Sequence, residues 1–240
     1  MMSNQPDNIE QTAARREPMS KMRKAIARMT TQSVQTAPHF YSQIEIDMQR
    51  AQTTIADLRA RHPDVKVSLL HLLIKACAAT LQQYPRLNAT LDDETIVYNN
   101  EVNIGVVVAL EDGMLIPVVR AADKTSLLEL ATQSASLIER ARRQRPNADD
   151  LLYGTFTLSN LGKEGPDSFT SIIRPPQSAI LSLGTVAERP FVRSGELVVA
   201  PTMIATLGVD HRVVDGAQAA GFLLTFKRIL ESPELATLCD

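Results

Sequence analysis

The sequence predicts an α+β chain, a mixed sheet with flanking helices. Three observations predict it. Apolar residues recur at helical spacing in several long runs, and strand-length runs of alternating or clustered apolar residues lie between them. The two kinds do not follow the regular βαβα rhythm of a doubly wound fold. No Gly-rich phosphate loop is present: NLGKEGPDSF has two glycines, but no Lys and Ser/Thr at phosphate-loop spacing.

The elements follow in chain order. Residues 1–18 are polar and without period, and are expected to be a disordered native start. Residues 19–240 are expected to form one catalytic domain, since no repeat or low-complexity linker interrupts them. Ser20 is a good N-cap, and Met22, Ile26 and Met29 fall on one face of the helix it opens. That helix is basic, which marks a solvated face. HFYSQIEIDM (39–48) alternates and predicts a strand; residues 49–61 predict a helix. VSLLHLLIKACAATLQQYP (67–85) predicts an apolar helix stopped by Pro85 and buried on most sides.

Strand candidates come next: TIVYNN, VNIGVVVAL and MLIPVVR, the last two joined by a turn at EDG (111–113). SLLELATQSASLIERARRQR (126–145) predicts an amphipathic helix ended by Pro146. GTFTLSNLG and QSAILSLGTV predict strands, and FVRSGELVVA a hairpin around Ser194-Gly195. TMIATLGV then leads as a strand into DHRVVDG, and AQAAGFLLTFKRIL closes the chain as a helix.

Composition narrows the function. A net charge of −2 gives no basic surface for nucleic acid. No run of 18 apolar residues predicts a membrane span, and the polar N-terminus lacks a signal core. Two cysteines make no disulfide framework: Cys77 sits in an apolar run, and Cys239 is next to the last residue. A reducing compartment, the cytoplasm, fits this usage.

His211 stands out among four histidines by its company. Asp215 follows four residues later, then Gly216, at a strand–helix junction. No other His or Cys lies at ligand spacing, so a metal site is not expected. No G-x-S-x-G elbow supports a hydrolase triad. A lone histidine acting as general base is left: neutral imidazole accepts a proton from a thiol or hydroxyl as it attacks a carbonyl. Asp215 would help by being buried against an arginine, fixing the loop. His62 reads as exposed, His71 as a core histidine, and His39 is open to either reading.

DHRVVDG resembles the active-site motif of the catalytic domain of dihydrolipoyl acyltransferases, the cores of 2-oxo acid dehydrogenase complexes, related more distantly to chloramphenicol acetyltransferase. PMSKMRKAIARMTTQS, APHFYSQIEIDM, VNIGVVVALEDGMLIPVVRAADKTSLLELA and YGTFTLSNLGKEGPDSFTSIIRPPQSAILSLG extend the resemblance from about residue 18 to the end. It implies a chloramphenicol acetyltransferase-like fold and a homotrimer, able to build a larger cage. It also implies sites at subunit interfaces, with CoA or acetyl-CoA as acyl donor. By resemblance His211 is the base and Asp215 its structural partner. Ser159, supplied by the neighbouring subunit, donates to the oxyanion. From the residues alone Ser159 would read as a strand-end cap. Arg28 is the expected partner of Asp215.

The chain also departs from that pattern. No lipoyl domain or Ala/Pro-rich linker is present, and Asp123-Lys124 lies within the catalytic match, so no covalently bound lipoyl group is expected. KEGP (163–166) and Arg174 replace the family's usual residues, Arg174 an asparagine. These departures favour a stand-alone CoA-dependent O-acyltransferase, acetylating a hydroxyl of a small or carrier-bound metabolite in natural-product biosynthesis. The alternatives are a dihydrolipoamide acyltransferase core, and a non-catalytic structural core of an assembly.

Overall fold

The computed structural model describes residues 15–232 and 235–238. Residues 1–14 of the expected N-terminal segment, and Cys239, lie outside the described residues. Helix α1 (Lys21–Thr36) opens at Ser20, whose hydroxyl accepts from the Arg23 amide at 3.0 Å. Strand β1 (His39–Asp47) and helix α2 (Gln49–Arg61) follow as the periodicity predicts. Helix α3 spans Leu69–Leu81 and stops four residues short of Pro85. The residue before a proline avoids the helical region, and Tyr84 turns to pack edge-on against Phe222.

A hairpin of β2 (Ala89–Asp92) and β3 (Thr95–Tyr98) comes next, β2 being invisible to the sequence reading. The predicted strand at 102–110 divides into β4 (Ile104–Val106) and β5 (Val108–Leu110). The run after it divides into β6 (Gly113–Leu115) and β7 (Val118–Val119). Helix α4 (Leu127–Arg142) starts at the capping box of Ser126 and Glu129. Then come β8 (Phe156–Asn160), β9 (Ala179–Leu183), β10 (Ala187–Arg193), β11 (Glu196–Asp210), α5 (Gly216–Glu231) and α6 (Leu235–Leu238).

One seven-stranded mixed sheet runs in the order β1-β11-β9-β8-β4-β7, with β10 also on β11. Strands β4, β8 and β9 are mutually parallel; β11 is antiparallel to its neighbours. The two faces differ because successive side chains alternate. Phe156 and Leu158, Ala179, Leu181 and Leu183, and Met203, Ala205, Leu207 and Val209 belong to the core shared with α2, α3, α4 and α5. The alternate positions carry Thr157, Ser159, Ser182 and Thr206, a hydroxyl-rich face at the middle of the sheet. The candidate site opens from that second face.

Candidate active site

Ser159 is 7% exposed on β8 and lines a cavity of about 260 Å³. Met29 and Thr30 of α1, Met114 of β6 and residues 170–172 line other parts of it. Among the described residues no hydrogen bond engages the Ser159 hydroxyl, so it is free to donate to a ligand. The segment over the cavity is tied down at several points. Ser33 donates to the Ile173 carbonyl at 2.6 Å, Tyr41 to the Ser171 carbonyl at 3.1 Å, and Ser182 to the Ser171 hydroxyl at 2.7 Å. His39 adds a fourth tie. Its Nε2 accepts from the Ile173 amide at 3.1 Å, so the proton is on Nδ1, which donates to the Ala37 carbonyl at 2.7 Å. Both ring nitrogens of His39 are therefore engaged structurally.

His211 follows the last residue of β11 and is exposed. Its amide donates to the Pro38 carbonyl at 2.9 Å, and its ring meets Phe40 edge-on at 5.3 Å between centroids. Among the described residues no hydrogen bond engages the imidazole nitrogens. The turn that carries it is held from an unexpected side. Asp210, 4% exposed, accepts from the Arg212 amide at 3.0 Å and from its guanidinium at 2.6–3.2 Å. This carboxylate pairing raises the Arg212 pKa above the usual arginine value. Sequence reasoning passed over Asp210 and Arg212, although they flank His211 directly in DHR.

Asp215 is exposed rather than buried against an arginine. It is the N-cap of α5 and accepts from the Gln218 amide at 3.0 Å. Its short carboxylate meets the unpaired amides of the helix start, a local solution that needs no distant cation. Arg28 is exposed on α1, and no ion pair joins it to Asp215 among the described residues.

The strand registers keep Ser159 and His211 apart within one chain. Ser159 pairs with Ser182, and Ser182 with Thr206, which precedes His211 by five residues on β11. Two strand spacings and five residue rises place the two Cα atoms roughly 19 Å apart. A base and an oxyanion donor so separated cannot act on one carbonyl carbon.

A second, more open groove of about 670 Å³ lies beyond the other end of β1. Arg193 pairs there with Asp47 and Lys227 with Glu231, Arg50 joins no ion pair among the described residues, and no predicted site residue lines the groove. Among the described residues no cluster of His, Cys, Asp and Glu could hold a metal ion, and no helix is long and apolar enough to cross a membrane.

Comparison with known proteins places this geometry. The chain is 39% identical to the dihydrolipoyllysine-residue acetyltransferase component of the pyruvate dehydrogenase complex of Rickettsia bellii, over 92% of its own length and 54% of that protein. It thus spans about half the length of the curated relatives it matches. The dihydrolipoamide acetyltransferase of Azotobacter vinelandii superposes with a TM-score of 0.89 at 30% identity, covering 99% of this chain and 100% of that one. The cubic core of the pyruvate dehydrogenase multienzyme complex matches with the same score, identity and coverage. A chloramphenicol acetyltransferase, 16% identical, superposes at 0.53 over 85% of this chain and 94% of its own, which shows the shared fold.

These relatives overturn the leading sequence-based reading. The O-acyltransferase of natural-product biosynthesis finds no support among them, and the alternative, a dihydrolipoamide acyltransferase core, does. The physical reason is that the departures at KEGP (163–166) and Arg174 touch a few residues of a match that runs through residues 11–238, and so few side chains do not by themselves identify an acceptor. With the family model of 2-oxoacid dehydrogenases acyltransferase (catalytic domain) matching residues 11–238, the chain belongs to that family.

Proposed function

We propose that this chain transfers an acyl group between CoA and a dihydrolipoyl thiol, as the core of a 2-oxo acid dehydrogenase complex. The observation that carries the reading is a coincidence of spacing. In the Azotobacter structure the residues probed for catalytic roles are a serine, a histidine 52 positions later, and an asparagine four beyond that. Ser159, His211 and Asp215 stand at the same intervals.

Neutral His211 takes the proton from the attacking dihydrolipoyl sulfur as the S–C bond forms at the thioester carbonyl. The carbonyl oxygen gains the negative charge, and Ser159 donates its hydroxyl hydrogen bond to it. One such donor lowers the barrier by about 3–4 kcal/mol. Collapse breaks the C–S bond to CoA, and the departing thiolate takes the proton back from His211. The products are an S-acyl-dihydrolipoyl group and free CoA; the reverse runs through the same groups. The 19 Å gap within a chain is closed if His211 of one subunit faces Ser159 of the next, and a homotrimer supplies three such sites. Burial of the interface keeps water from the thioester. Trimers assembling into a cage follow the relative with a cubic core.

The test is release of free CoA from acetyl-CoA with dihydrolipoamide as acceptor. His211→Ala should lose transfer by at least about 10²-fold while its sedimentation is unchanged. Undiminished transfer by that variant would remove His211 from the mechanism.

A further inference from the structure

The transfer chemistry leaves one charged group unexplained. Arg174 lines the cavity of Ser159, whose other lining residues, among them Met29, Val107, Ile116 and Ile180, carry no charge. Its Nη2 donates to the Leu151 carbonyl at 3.2 Å. Its Nη1 is shut off from solvent and has no acceptor. Among the described residues no carboxylate forms an ion pair with it. Burial lowers its pKa below the usual arginine value, the sign of a cation desolvated without a counter-charge. Buried charges are otherwise paired or coordinated, and Arg174 is the one charged side chain lining this cavity, with no counter-charge among the described residues. Space is available: the 260 Å³ cavity holds several times the roughly 30 Å³ of a water molecule, more than a two-carbon acyl group needs.

We propose that Arg174 makes this a carboxylate-reading cavity: one of the two substrates ends in a carboxylate that the guanidinium binds while Ser159 faces the reacting carbonyl. A planar guanidinium suits a carboxylate because two parallel N–H···O bonds match its geometry. The inference deepens the proposed transfer reaction and rests on it. The carboxylate has two possible carriers, the acyl group of a dicarboxylic acid thioester or the dithiol acceptor itself.

Two pairs of near-isosteric substrates separate the carriers. Succinyl-CoA against butyryl-CoA, with dihydrolipoamide, tests the acyl arm. Dihydrolipoate against dihydrolipoamide, with acetyl-CoA, tests the acceptor arm. The expected result is a preference in kcat/KM of at least about tenfold for the carboxylate member of one pair. Arg174→Gln and Arg174→Met should abolish that preference. The unmodified protein alone is decisive if both variants fail to fold: ratios near one in both arms overturn the inference, as they would if a neighbouring subunit's carboxylate met Arg174. Calorimetric titration with the same compounds is independent of turnover. Arg174-dependent preference in binding without any transfer upholds the inference and removes the proposed reaction. Transfer without preference does the reverse.

Discussion

The roughly 19 Å between Ser159 and His211 within a chain leads to a complementation experiment. Suppose each site takes His211 from one subunit and Ser159 from its neighbour. His211→Ala and Ser159→Ala homotrimers are then both defective, for different reasons. A trimer containing both variants has some interfaces at which an intact His211 meets an intact Ser159. With random mixing in equal amounts, the histidine-bearing subunit is intact half the time, and the serine-bearing one half the time. A quarter of all interfaces are therefore restored. The single variants should fall by about 10²-fold or more, since each removes a group that supplies a barrier term of that size. Co-expressed variants should then recover about a quarter of unmodified activity, well above either parent. CoA release with dihydrolipoamide, measured on doubly tagged trimers, reads the result. Recovery no greater than the mean of the two parents would refute a shared site. So would full activity in a single chain carrying neither partner's contribution.

Three further outcomes follow from other parts of the molecule. Gly184 has no room for a side chain: a Cβ there would lie 1.9 Å from the Asp167 carbonyl oxygen, which is backbone. Gly184→Ala should therefore push away residues 166–167 and cost about 3 kcal/mol, seen as a fall in Tm; an unchanged Tm would show that the loop moves freely. Burial lowers the His71 pKa from 6.5 to about 4, and its Nδ1 accepts from the Ser68 amide. The folded pKa lies below the unfolded one, so this contribution is complete above pH 6.5 and fades as pH falls toward 4, by at most about 3 kcal/mol. His71→Gln, which can still accept that hydrogen bond, should flatten the loss of denaturant midpoint between pH 6.5 and 4.5; equal slopes would contradict the assignment. Asp215→Ala should lose about 1 kcal/mol through the α5 cap, and Asp215→Asn, an equally good cap, almost none. Equal losses in thermal denaturation would mean that the charge, not the cap, is what matters.

By itself the sequence determined the local elements and singled out the residues proposed to carry the chemistry. Ser20 and Ser126 start their helices because a hydroxyl satisfies a free amide a few residues on, an interaction written within one turn. Strands β8, β9 and β11 were likewise legible as strand-length apolar-rich runs, although which side chains meet on each of their two buried faces was not. DHRVVDG marked His211, and the SNLG turn marked Ser159 through the family it resembles. The sequence was misleading where partners are chosen at a distance. It pointed to an arginine for Asp215, but the first turn of α5 offered unpaired amides nearer by. Asp210, with no expected role, took Arg212 instead and pinned the turn that carries His211. Strand registers decided that Ser159 and His211 stand far apart in one chain, and the packing of residues 170–174 decided that Arg174 lines the cavity of Ser159. Periodicity and capping act over a few residues and leave their mark in the order of side chains. Register, burial and charge pairing join residues tens of positions apart, and only the folded chain settles which of the competing partners meet.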